Sequence, residues 1–335
     1  MVLQQNTRAS VYGWSFVAQS TVSVVFQDIT YDTISSDSKA SYGGYFWKVS
    51  LPPTTGSFAA YTLNISSSAG ERAYLRNIKF GDVFVCSGQS NMQLGVPDMF
   101  NATDEIKDAD NYADIRLMYV YQDSCTPQVT SPLDDLYNTH PWSEASSDTV
   151  NASWEVSGVC WMYAKHLFND IIKRAHPLGL VISDWGGTTI MAWGPQSVTD
   201  KCVPSASNSL LTDEKINADA TPHEPIGDCM FNANEVAALY NTMIAPFKDM
   251  SVRAALWYQG ESDSYQGQYY SCLQDGMVRA WRNLWGVDLP FMFTQLSTWD
   301  AGGGTTLANF RMIQESILEI TEKTAMITAA DLGGE

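Results

Sequence analysis

Three short stretches carry the residue types that acyl transfer requires. They are Gly88-Gln89-Ser90-Asn91-Met92, Trp185-Gly186-Gly187-Thr188-Thr189 and Gln259-Gly260-Glu261-Ser262-Asp263. Each follows an apolar run, which places it where a strand gives way to a loop. A serine at such a turn offers its hydroxyl to a substrate while its own N–H points to where charge develops on the attacked carbonyl oxygen. Neighbouring glycines let a second N–H approach the same point. On this reading Ser90 is the candidate nucleophile, Gly186 and Gly187 are backbone oxyanion donors, and the side-chain NH2 of Gln259 is a third. Glu261 reads either as a catalytic carboxylate or as a solvated loop acid. Each feature has a plainer alternative: Ser90 alone is equally a turn serine capping backbone N–H groups, and Gly186-Gly187 a tight turn. What favours chemistry is that the three stretches fall at the carboxyl ends of three expected strands.

The elements that would hold them begin near residue 82. Apolar runs at 82–86, 115–120, 178–183, 253–258, 290–296 and 325–329 predict strands. Between them, Trp161, Ala164, Phe168 and Ile171 recur at helical spacing, as do Val236, Leu239, Tyr240 and Met243, then Leu273, Met277, Trp281 and Leu284, then Phe310, Ile313, Ile317 and Ile320. Strand and helix in alternation imply a parallel sheet covered on both faces, with its site at the carboxyl ends of the strands. Residues 1–80 instead show short alternating runs at 22–26, 45–49 and 61–65 between Gly, Ser, Pro and Asp clusters, the pattern of an antiparallel, β-sandwich-like domain. The expected division is therefore 1–80 and 81–335. Two long aperiodic segments, 121–157 and 194–230, are expected to be rims or lids.

Composition narrows the partners. A formal net charge of -18 over 335 residues disfavours nucleic acid and anionic membrane surfaces, and no apolar run is long enough to span a bilayer. No His-Glu-x-x-His, Cys-x-x-Cys, P-loop or dinucleotide fingerprint occurs, so neither a metal nor an organic cofactor is expected. Three glycosylation sequons, at Asn64, Asn101 and Asn151, and six cysteines point to a secreted or lysosomal protein, although the first twenty residues do not form a signal peptide. Cys86, inside an apolar strand, reads as a buried free thiol, and Cys202 with Cys229 as the first disulfide to test.

The blocks Asp82–Gln93, Gly179–Ile190 and Trp257–Ser262, in this order, resemble the signature blocks of the sialate O-acetylesterases, a family of the SGNH (GDSL-like) hydrolases. Weaker similarity at residues 1–4, 157–161, 241–246 and 291–296 extends the resemblance over nearly the whole chain. It implies a flavodoxin-like, three-layer α/β/α hydrolase domain behind a β-domain, with no cofactor, removing acetyl groups from O-acetylated sialic acids. It also implies Ser90 as nucleophile, Gly187 with Gly186 and Gln259 as oxyanion donors, and a role for Glu261. In the family, an Asp-x-x-His motif carrying the catalytic base follows shortly after a stretch resembling residues 329–333, whereas this sequence stops at Glu335. None of His140, His166, His176 and His223 matches that position, and His223 is the only stand-in. The resulting expectation is a polypeptide truncated at both ends, inactive as given, whose full-length parent is an esterase. Two alternatives stay open: an acetylesterase of other polysaccharides such as xylan, and a catalytically dead carbohydrate-binding homologue.

Overall fold

The computed structural model describes residues 1–40, 43–122, 136, 139–152, 156–204, 233–298 and 305–330. Thirteen strands are found among them: β1 (Val2–Gln4), β2 (Ser10–Ser15), β3 (Thr21–Phe26), β4 (Ile29–Ile34), β5 (Tyr45–Ser50), β6 (Ser57–Ser67), β7 (Arg72–Gly88), β8 (Ile115–Val120), β9 (Thr139–Glu144), β10 (Leu178–Asp184), β11 (Ala254–Tyr258), β12 (Phe291–Gln295) and β13 (Thr324–Thr328). The main sheet runs β13-β12-β11-β7-β10-β8-β9. Every neighbouring pair in it is parallel except β8 with the edge strand β9.

Burial explains the strand composition. All seven residues of β10, Leu-Gly-Leu-Val-Ile-Ser-Asp, are buried, as are all five of β11. A parallel strand covered on both faces shows a continuous apolar run instead of an alternating one. The covering helices are those expected from the apolar stripes. Helix Tyr270–Trp285 buries Leu273, Met277 and Trp281, helix Thr306–Ile320 buries Phe310 and Ile317, and helix Gly158–His166 buries Cys160, Trp161 and Ala164. Trp257 on β11 meets Trp193 and Trp281 edge-on, with ring centroids 5.8 Å apart in each pair. Two stripe members differ from expectation. Ile171 is 64% exposed, because the helix ends in a wider π-type turn over Leu167–Ile171 that shifts the face it presents, and Ile320 is 48% exposed as the last helical residue.

The first eighty residues pair as antiparallel ladders, β3 with β4 and β6, β6 with β7, and β2 with β5, while the short β1 runs parallel to β7. Strand β7 is seventeen residues long and belongs to both regions. Phe80 packs in one apolar cluster with Val24, Phe26 and Leu63, whereas Val83 packs in the cluster under the main sheet. Gly81 lies between them, where a Cβ would fall 1.9 Å from the carbonyl oxygen of Pro177, so only glycine admits that approach. The junction is tied by polar contacts. Asp82 accepts from Gln4 Nε2 at 3.0 Å and Gln5 Nε2 at 3.2 Å, and His176 Nε2 lies 3.1 Å from its other oxygen.

Both cysteine expectations are corrected. Cys86 is bonded to Cys160, with Cα atoms 6.0 Å apart, because the inward face of helix Gly158–His166 brings that sulfur onto β7. Cys202 is bonded to Cys272 with Cα atoms 5.6 Å apart, joining helices Gln196–Cys202 and Tyr270–Trp285. Cys229 and Cys125 lie outside the described residues, as does His223. Among the described residues no helix is long and apolar enough to cross a membrane.

Candidate active site

Strands β10, β7 and β11 end level with one another. Gly88 stands opposite Asp184 on one side and Tyr258 on the other, so the three following loops leave the sheet together. Gly88 has φ +149°, and a Cβ there would lie 2.1 Å from the Tyr258 carbonyl oxygen. A residue without Cβ is what lets the central strand turn while still touching its neighbour. The turn is held from both sides: Gln89 N–H donates to Tyr258 O at 3.0 Å, and Trp185 N–H donates to Gly88 O at 3.0 Å.

Ser90 opens the short helix Ser90–Gln93 and is exposed, whereas Gln89 and Met92 are buried. The Gln89 carbonyl oxygen of the side chain accepts from Gly260 N–H at 3.2 Å and Ser262 N–H at 3.3 Å, which fixes the third loop to the first. Asn91 Nδ2 donates to Glu261 Oε1. The second loop comes up against the serine itself: a Cβ on Gly186 would be 3.4 Å from Ser90 Cβ. The three stretches singled out by residue type are therefore one site.

The donors are distributed differently from the sequence expectation. Gly186 N–H is taken by Gln93 Oε1 at 2.6 Å. Gln259 is wholly buried, donates from Nε2 to Thr188 O at 3.0 Å and to Asp263 Oδ2, and accepts from Tyr270 Oη at 3.0 Å. Gly186 and Gln259 spend their hydrogens inside the protein and hold the loops in place. Among the described residues the N–H groups of Ser90 and Gly187 donate to no other group, so these two remain for a developing oxyanion. Gly187 is itself fixed, because Asn234 Nδ2 donates to its carbonyl at 3.0 Å and Asn234 Oδ1 accepts from Thr189 N–H at 2.6 Å.

Beneath the loops lies a layer of buried acids. Asp263 Oδ2 also accepts from Ile190 N–H at 2.9 Å, linking the second loop to the third. Burial pushes the Asp263 carboxyl up to about 7, with the neighbouring Glu261 charge adding to the rise and the bonds from Gln259 and Ile190 opposing it. Burial also raises Glu261, against the bond from Asn91, and its Oε2 is buried without a partner. The pKa of Tyr270 rises for the same reason, reinforced by the charge of Asp263. Sequence reasoning missed Gln89, Gln93, Asn234 and Asp263. For Asp263 a signal was present, since it follows Gln259 by four residues at the start of the 3-10 helix Glu261–Tyr269 and can fold back onto it.

With this geometry in hand, comparison with known proteins is decisive. The model of the family described as carbohydrate esterase, sialic acid-specific acetylesterase, matches residues 80–335. The chain belongs to this family. It is 29% identical over 290 residues to the sialate O-acetylesterase of Homo sapiens, a match covering 84% of this chain and 51% of that protein. To the sialate O-acetylesterase of Mus musculus it is 28% identical over 329 residues, covering 89% and 59%. The chain thus spans about half the length of the curated relatives it matches. Among solved structures, a carbohydrate acetylesterase from Xanthomonas citri superposes with a TM-score of 0.79 at 25% identity, covering 99% of this chain and 67% of that one. The shared architecture is a mixed α/β fold built on a large, mostly parallel sheet.

A serine hydroxyl is a weak nucleophile until a neighbouring base, most often a histidine, accepts its proton. The three described histidines stand elsewhere. His176 is bound to Asp82 at the amino end of β10, the end opposite the site. His166, exposed, pairs with Asp170 at 2.7 Å, and His140 lies on the edge strand β9.

Proposed function

We propose that this chain is the esterase core of an enzyme that removes O-acetyl groups from sugars, with O-acetylated sialic acids as the substrate class. Ser90 Oγ attacks the acetyl carbonyl, the tetrahedral oxyanion is received by the N–H groups of Ser90 and Gly187, and the sugar hydroxyl departs. Water then hydrolyses the acetyl-serine to release acetate. The proton acceptor comes from a histidine outside the described residues. Glu261 acts through Asn91 on the position of the Ser90 turn, and Gly186 and Gln259 brace the donor loop. The observation that carries the reading is the level ending of β10, β7 and β11, which brings Ser90 against the Gly186-Gly187 loop. Acetate release from 9-O-acetylated sialic acid by the natural full-length polypeptide, abolished in Ser90→Ala, tests it; release undiminished in Ser90→Ala refutes it.

The finer architecture proposed is a flavodoxin-like, three-layer SGNH hydrolase domain over 81–335 with an antiparallel β-domain over 1–80. Residues Asn64, Asn101 and Asn151 are all exposed, and the described cysteines form two disulfides, which supports a secreted or lysosomal glycoprotein. A second reading keeps the chemistry and exchanges the substrate for a neutral acetylated polysaccharide such as xylan. The net charge of -18 favours it, since such a surface repels an acidic sugar. The third is a catalytically dead carbohydrate binder, favoured by the distance of the described histidines from Ser90. Rates on acetylated xylan and on 9-O-acetylated sialic acid, measured side by side, separate the three.

A further inference from the structure

An acidic chain that accepts an acidic sugar needs a cation at the site. Elsewhere in the fold the partly buried cations already have acids: Arg116 pairs with Glu144 at 3.3 Å, Lys165 with Glu105 at 2.6 Å and Asp108 at 2.7 Å, and Lys79 with Asp114 at 2.5 Å. Arg311, on helix Thr306–Ile320, differs. It is half-buried, its Nε donates to Leu296 O at 2.8 Å, its Nη2 is enclosed without a partner, and among the described residues it forms no ion pair.

Its place in the fold matters more than its isolation. Leu296 directly follows β12, so the guanidinium is fastened at the carboxyl end of the sheet, on the rim where Ser90 lies. From β7 to β12 is two strand spacings, about 10 Å, a distance that one sugar with its side chain can bridge. The same helix reaches the third loop: Gln314 Nε2 donates to Gln259 O at 3.3 Å, and a Cβ on Gly260 would lie 2.7 Å from the ring of Phe310, the residue before Arg311. With Nε bonded to Leu296 O and Nη2 enclosed, Nη1 is the nitrogen left to meet a ligand. A carboxylate oxygen is a strong acceptor for it, through a charge-assisted hydrogen bond.

We propose that Arg311 is the carboxylate-binding residue of this site and the determinant that selects acidic over neutral sugar esters. The inference rests on the esterase reading above and deepens it by naming what recognises the acid group. It also resolves the charge conflict, because one oriented, partly desolvated guanidinium acts at short range where the diffuse negative field of the surface is screened.

Binding tests it without requiring turnover. N-acetylneuraminic acid and its neutral methyl ester are titrated into the natural protein and into Arg311→Gln and Arg311→Lys, by calorimetry or saturation-transfer NMR. The natural protein is expected to prefer the acid by roughly 10- to 100-fold, the range for a hydrogen bond to a charged group. Arg311→Gln is expected to abolish the preference and Arg311→Lys to retain a fraction of it, both with a cooperative thermal transition that shows them folded. An unchanged preference in both variants overturns the Arg311 assignment while leaving the sialate reading standing. Equal binding of acid and methyl ester by the natural protein overturns the assignment as well. Failure of the natural protein to bind either sialic acid form while binding acetylated xylo-oligosaccharides overturns the sialate reading and the assignment together.

Discussion

Asp263 offers the sharpest quantitative test of the layer that supports the site. Its carboxyl is raised from 3.8 to about 7 by burial. Between those pH values the folded protein holds a proton that the unfolded chain has released. The folded state therefore binds more protons, and stability falls as pH rises from about 4 to 7, then levels off. Three units at about 1.4 kcal/mol each give a fall of ~4 kcal/mol attributable to this one group. Asp263→Asn mimics the protonated form: its carbonyl still accepts from Ile190 and Gln259, and nothing ionises. Urea unfolding followed by the fluorescence of the buried Trp193, Trp257 and Trp281 provides the assay. The variant is expected to match the natural protein near pH 4 and to exceed it by up to ~4 kcal/mol at pH 8. Glu261, also raised by burial, is coupled to Asp263 through their charges, so the difference includes that coupling as well as the burial of Asp263. A difference that stays constant across pH, or a variant less stable at pH 8, refutes the reasoning.

Three further outcomes follow from the same contacts. Gly88→Ala places a Cβ 2.1 Å from Tyr258 O at φ +149° and is expected to cost ~3–5 kcal/mol in denaturant unfolding, by strain and by parting β7 from β11; a loss below ~1 kcal/mol contradicts the turn geometry. Gln259→Leu strands Thr188 O and removes one of the two donors to Asp263, while Tyr270 Oη keeps the backbone carbonyl of residue 259, so stability is expected to fall by ~2 kcal/mol or more; a variant that loses activity at full stability would restore Gln259 as a substrate donor. Peptide mapping of the unreduced protein is expected to return Cys86–Cys160 and Cys202–Cys272 crosslinks, and a free Cys86 or a Cys202–Cys229 link contradicts the disulfides described.

Much of the sheet was legible because a parallel strand buried on both faces needs an uninterrupted apolar run. The runs at 115–120 and 178–183 coincide with β8 and β10 to within a residue. The gathering of the three loops was legible too, since parallel strands send all their carboxyl ends to one rim. What the residues alone could not supply was the assignment of hydrogen-bond donors. Gln259 carries an NH2 that looks available in the sequence, yet its use is decided by Thr188 O and Asp263, which only the fold brings to it. Pairing of Cys86 was hidden for a similar reason. An apolar strand environment suits a free thiol, and the position of Cys160 depends on how the helix packs. The pattern changes near residue 80 within β7, because one long strand serves an antiparallel ladder with its first half and a parallel sheet with its second.

The central claim is that Ser90 is the nucleophile of a site assembled from three loops. Its most direct test is intact-mass and peptide analysis of the natural full-length polypeptide after exposure to a fluorophosphonate. A single adduct on Ser90, absent in Ser90→Ala, is the predicted result. An adduct on another serine, or none on a folded protein that still releases acetate from its substrate, would contradict it.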